Sequence, residues 1–106
     1  MNKETPKERA SRLEFHMRMG FTIINDNDSK VTKDDFKKAL KDLYYWQTCD
    51  STGFFSILFV LIAKADAKNI KKLNLAFPAH TLAYTIWYYS ENPDILFEKW
   101  GVENAD

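Results

Sequence analysis

The chain is punctuated where helices begin and end, and that spacing constrains its fold more than any other feature. Glycine occurs three times in 106 residues, at Gly20, Gly53 and Gly101, each where a helix would stop or start. Thr5, Pro6 and Glu8 form a capping box with proline at the first helical position. Thr32 with Asp35 repeats the box, Asp66 can cap a helix at 67–76, and Asn92-Pro93-Asp94 opens another that Gly101 would end. No apolar–polar alternation of period two runs beyond four residues. The reading is all-α: a single domain over 1–106, a compact bundle of five to six short helices, frayed at 1–4 and 102–106.

Between these marks the apolar residues fall at helical spacing. A first helix runs from the Thr5 box to Met19 and stops at Gly20, and 21–31 is a connector in which "FTII" is a short extended piece. After Thr32, Phe36, Leu40, Leu43 and Gln47 share one line, with Asp34, Lys37, Lys38 and Lys41 opposite. The run "FFSILFVLIA" at 54–63 is apolar on every side, which places it in the middle of a bundle, Ser56 and Ala63 forming a slim small-residue side. Phe77 before Pro78 is biased away from helix, so a break precedes a helix at about 79–90.

Composition removes several functions. The chain is long enough for one core without staples. Fifteen basic and fifteen acidic residues cancel, so no global field draws it to nucleic acid or an anionic membrane. The apolar run is about half of the ~20 residues a spanning helix needs, and no membrane association is expected. The N-terminal "MNKETPKERASR" has no apolar core of a signal peptide, and Cys49 stands alone, so a cytoplasmic, reducing home is expected. His16 and His80 belong to no metal or catalytic spacing, and three isolated glycines build no phosphate loop. The expectation is a protein that is not an enzyme, with no cofactor, no bound metal and no small-molecule substrate.

Two surface features point to partners. In "HTLAYTIWYY", Leu82, Ile86 and Tyr89 should face the core, leaving Tyr84, Trp87 and Tyr88 clustered on the other side. Tyr45 likewise points away from its own helix's apolar stripe. Such residues, if exposed, are what interface anchors and homodimer seams are made from. Lys64, Lys68, Lys71 and Lys72 face a single acid, Asp66, within residues 51–72, while residues 73–106 hold one lysine against five acids. If the two helices carrying these lysines stay collinear, Lys64, Lys68 and Lys71 form one stripe, suited to an acidic partner or to phosphates.

Residues 24–35, "INDNDSKVTKDD", invite comparison with a calcium loop. Asp26, Asp28, Thr32 and Asp35 fall at positions 3, 5, 9 and 12 of an EF-hand. Ile24 stands where the first carboxylate belongs, and Ser29 where glycine makes the sharp turn. A polar turn leading into the Thr32–Asp35 cap explains the same letters. A degenerate EF-hand-like divalent-cation site is the third reading, behind protein and nucleic-acid partners.

Thr52-Gly53 before an aromatic helix, "KAD" at 64–66, "N" and "KL" within 69–73, and "AFP" at 76–78 before another aromatic helix form a pattern over residues 52–89. The pattern resembles that of small helical proteins of phages, plasmids and other mobile elements of low-GC Gram-positive bacteria. The resemblance implies an accessory protein, cytoplasmic in a bacterial host. The leading expectation is a non-enzymatic interaction module that binds and modulates or inhibits a host or phage protein, such as a defence or replication factor. Tyr45, Tyr84, Trp87, Tyr88, Lys64, Lys68, Lys71 and Lys72 are its expected contact residues. A nucleic-acid-binding accessory protein using the lysine stripe is the alternative.

Overall fold

A computed structural model describes residues 18, 20, 22–27, 30–49 and 52–102. The protein is all-α, and no strand occurs among the described residues. A helical segment, α1, is described at residues 18, 20 and 22–27. It is followed by α2 (Lys33–Thr48), α3 (Phe54–Lys64), α4 (Ala67–Ala76), α5 (Pro78–Tyr89) and α6 (Pro93–Lys99). The Thr5–Glu8 box, the course of the chain before Arg18, and residues 103–106 lie outside the described residues.

The caps form largely as their letters dictate. Thr32 accepts a hydrogen bond from the Asp35 amide at 3.1 Å, and Asp66 accepts one from the Asn69 amide at 2.8 Å. Pro78 and Pro93 each stand at the first turn of their helices, though the Asn92 side chain makes no capping bond. Beyond α6, the Gly101 amide donates to the Glu98 carbonyl and the Val102 amide to the Phe97 carbonyl, with Gly101 at φ +67°. This is a Schellman closure, sealed by the buried pair Phe97 and Val102. Val102 is therefore core, not the start of a frayed tail. A Cβ at Gly101 would meet no backbone, only the Lys37 ammonium at 3.9 Å, so substitution there tests backbone conformation alone. Gly101→Ala is expected to lower the unfolding free energy by about 1 kcal/mol, seen as a shifted urea midpoint at constant slope.

Two other expectations near the N-terminal end are corrected. Gly20 does not stop a helix, since Gly20 and residues 22–27 are helical, and "FTII" holds no extended piece among its described members. Gly20 is there for close approach: a Cβ would run into the Tyr89 ring and press on the Thr85 methyl. The helical turn at 22–27 also removes the calcium loop. Ile24 and Asp26 sit on a helix, Asn27 is buried, and Lys30 closes a turn on the Asn27 carbonyl, while Asp28 and Ser29 lie outside the described residues. A helix turns successive side chains by about 100°, so these positions cannot converge on one ion as an EF-hand loop requires.

The centre of the bundle is α5, packed against α2, α3, α4 and α6. Small residues permit this. Ala83 is fully buried, and the buried Thr81 and Thr85 hydroxyls each donate to the carbonyl four residues earlier, at 2.8 Å. No orphan hydroxyl results, and neighbouring helices can come close. Phe36, Ala39, Leu40 and Leu43 of α2 and Leu58, Phe59 and Ile62 of α3 complete the core around it. Gln47, expected on the α2 stripe, is exposed, and Trp46 supplies that last turn's packing.

Candidate functional site

The run at 54–63 was expected at the centre of the bundle, and it lies on the outside instead. One side of α3 is core: Ser56, Leu58, Phe59 and Ile62 are buried and Phe55 is half-buried. The opposite side is exposed and apolar. Phe54 is 66% exposed, Ile57 57%, Leu61 52% and Val60 36%, with Lys64 closing the row. Spacings of three, four and three from Phe54 through Ile57 and Leu61 to Lys64 make these residues one stripe. A bundle this small has room for one central helix, and α5 with its alanine and threonines occupies that place. The second apolar helix is left with a bare face.

The lysines are arranged differently from the expected stripe. Ala65 and Asp66 are both extended, so α4 does not continue the axis of α3, and Lys64, Lys68 and Lys71 do not share one helical row. The break builds a groove of about 330 Å³ where the two helices part. Leu61, Ala65 and Leu73 give it an apolar floor, and Lys64, Asn69 and Lys72 line its sides. Along the outer face of α4, Lys68, Lys71 and Lys72 surround Leu75, which is 78% exposed. Asp66 is the one acid nearby in sequence, and its carboxylate is engaged in capping. Among the described residues, none of the four lysines stands in an ion pair.

The aromatic cluster of α5 is mostly internal, which corrects its expected role. Tyr84 is 5% exposed and belongs to the core, and Trp87 and Tyr88 are half-buried. Trp87 meets Trp46 edge-on at 6.0 Å, Trp46 stacks on Phe59 at 5.4 Å, and Tyr84 stacks on Tyr88 at 5.7 Å. Beside them, burial pushes the Tyr89 hydroxyl well above the ordinary phenol range, with the Tyr88 and Tyr84 hydroxyls adding to the shift. Leu82 and Ile86, expected to face the core, are half-buried and line a shallow groove of about 260 Å³ with Val31, Phe36 and Trp100. With α2, α3, α4 and α6 packed around it, α5 leaves none of its described side chains fully exposed. Of the expected aromatic contacts only Tyr45, half exposed on α2, stands clear of the bundle.

One pairing was not foreseen. His80 Nε2 lies 2.8 Å from an Asp42 carboxylate oxygen, joining α5 to α2. The imidazole stacks on Phe55 at 4.3 Å and 6°, and lies 5.7 Å from the Phe59 ring. An aspartate on a helix flank and a histidine 38 residues away give no sequence signal of their pairing. Its place beneath the inner side of α3 makes it a strut for that helix. Cys49 is exposed and contacts its neighbour Thr48 at 3.3 Å. Among the described residues no three His, Cys, Asp or Glu side chains gather as a metal site, and no helix is long and apolar enough to cross a membrane.

Comparison with protein-family models, with curated proteins and with solved structures finds no match to this chain.

Proposed function

We propose that this protein is a non-enzymatic interaction module that docks another protein on the outer face of α3. The context that its sequence resembles makes it a phage or mobile-element accessory protein that binds and modulates or inhibits a host or phage protein. The exposed stripe of Phe54, Ile57, Val60 and Leu61 carries this reading. Together these side chains leave roughly 400 Å² of apolar surface in water, within the range of the largest patches on monomeric proteins, which commonly mark binding sites. The anchors named from sequence on α5 give way to these four, and the lysines keep their part as the charged border.

The lysines do not favour a nucleic-acid partner over a protein. Phosphates would satisfy Lys64 and Lys72 and leave the α3 stripe uncovered, while an apolar protein surface covers the stripe itself. The test is affinity capture from the lysate of a low-GC Gram-positive host, comparing the wild type with Ile57→Asp/Leu61→Asp. Both positions are more than half exposed, so the double variant is expected to keep its helical circular dichroism and its melting temperature within a few degrees. Proteins retained by the wild type should be lost from the variant. The reading falls if a folded variant retains the same proteins.

A further inference from the structure

The α3 face and the adjoining groove differ in chemistry, and together they describe a ligand. The face is four apolar side chains without a charge until Lys64. The groove continues from Leu61 onto an apolar floor with Lys64 and Lys72 at its sides, and Lys68 and Lys71 extend the positive border around Leu75. The Asp66 carboxylate is committed to the Asn69 amide at 2.8 Å, and none of these lysines is paired among the described residues. The surface is therefore apolar and cationic at once.

We propose that the occupant of this surface is an amphipathic helix of another protein, whose apolar anchors lie beside Asp and Glu residues. This rests on the reading of α3 as a docking face and adds the chemistry of what docks there. A helix presents anchors at i, i+3 or i+4, and i+7, the same spacing as Phe54, Ile57 and Leu61, so the two rows interdigitate over the roughly 16 Å length of α3. One anchor enters the groove above Leu61, Ala65 and Leu73, and the acidic residues beside it meet Lys64 and Lys72. Lys68 and Lys71 speed encounter with a negatively charged partner. An anionic bilayer also combines apolar and acidic chemistry, but it accepts protruding side chains, while a concave groove of about 330 Å³ accepts one. A second copy of this chain facing α3 to α3 would bury the stripe and leave the lysines without partners.

The experiment uses the full chain and three labelled helical peptides of one design. Each carries leucines at the anchor spacing, and their flanking positions are all glutamate, all glutamine or all lysine. Fluorescence anisotropy is expected to show the glutamate peptide binding at least roughly tenfold more tightly than the lysine peptide, with that preference shrinking as salt rises from about 50 to 500 mM. Ile57→Asp/Leu61→Asp should abolish binding, and Lys64→Glu/Lys72→Glu should reverse the charge preference. Equal binding of the three peptides, lost in Ile57→Asp/Leu61→Asp, overturns the acidic partner and leaves the docking face standing. Binding that survives Ile57→Asp/Leu61→Asp overturns both. No peptide binding, with sedimentation showing self-association that Ile57→Asp removes, assigns the face to a second copy and overturns the proposal. No peptide binding, with capture by phosphatidylglycerol vesicles but not by phosphatidylcholine vesicles, assigns it to a membrane and also overturns it. The absence of all binding overturns it as well.

Discussion

Phe59→Ala is expected to lower the free energy of unfolding by about 3–5 kcal/mol, and Ile57→Asp, two residues earlier, by less than about 0.5 kcal/mol. Phe59 is fully buried, stacked on Trp46 at 5.4 Å and within ring contact of His80. Removing the ring empties a space that α2 and α5 bound on other sides, and their helices cannot collapse into it without losing contacts elsewhere. Ile57 is 57% exposed on the other side of the same helix, where a carboxylate stays hydrated. Urea unfolding of both variants measures the orientation of α3 directly. Similar losses at the two positions would mean that the helix is buried on both sides, and the docking face would be withdrawn.

Asn27→Asp is expected to lower stability by about 2–4 kcal/mol at neutral pH, although it exchanges one amide for a carboxylate of nearly equal shape. Asn27 is 2% exposed, and its Nδ2 donates to Asn74 Oδ1 at 2.7 Å and to the Pro78 carbonyl at 3.1 Å. The Pro78 oxygen can only accept, which fixes the orientation of the Asn27 amide and leaves its Oδ1 without a partner. The pair ties α1 to α4 and to the start of α5. A carboxylate there would be buried against a backbone acceptor. Burial and the acceptor both favour the protonated acid, so its folded-state pKa is raised above the usual value of about 4. A raised carboxyl pKa contributes stability that is fully present below the unfolded value and is lost as pH rises through the folded one. The deficit relative to wild type should therefore be smallest near pH 4 and grow toward pH 7. A deficit equal at both pH values would place its origin in packing.

The helix boundaries could be read because their signals are local. Thr32, Asp66, Pro93 and Gly101 act on backbone groups within four residues, and each sits where its chemistry predicts. Which apolar helix lies at the centre could not be read the same way. "FFSILFVLIA" is the more hydrophobic run, yet α5 takes the middle because Thr81, Ala83 and Thr85 let neighbours approach and the threonines satisfy their own hydroxyls. That preference depends on the fit of α5 to its four neighbours, which hydropathy along one helix does not encode. The same limit hid the burial of Tyr84, while Leu82, Ile86, Trp87 and Tyr88 all pack half-buried against the core. Gly20 misled for a related reason. Glycine serves both helix ends and close approaches, and only the Tyr89 ring, 69 residues away, shows which applies.

The bare side of α3 also bears on how the chain behaves before it finds a partner. Ten consecutive residues from Phe54 to Ala63 contain one polar side chain, Ser56, and no charge. Such a segment, rich in Phe, Ile, Leu and Val, is the kind that pairs with copies of itself as an extended strand when unfolding frees it. The whole molecule offers little repulsion to oppose this, with a formal charge of zero and an isoelectric point near 6.7. Lys64 immediately after the run supplies one gatekeeping charge. Shelf life in neutral buffer, rather than melting temperature, is then the property that a bound partner would extend most: it would cover the folded face and hold the sticky segment in its helix.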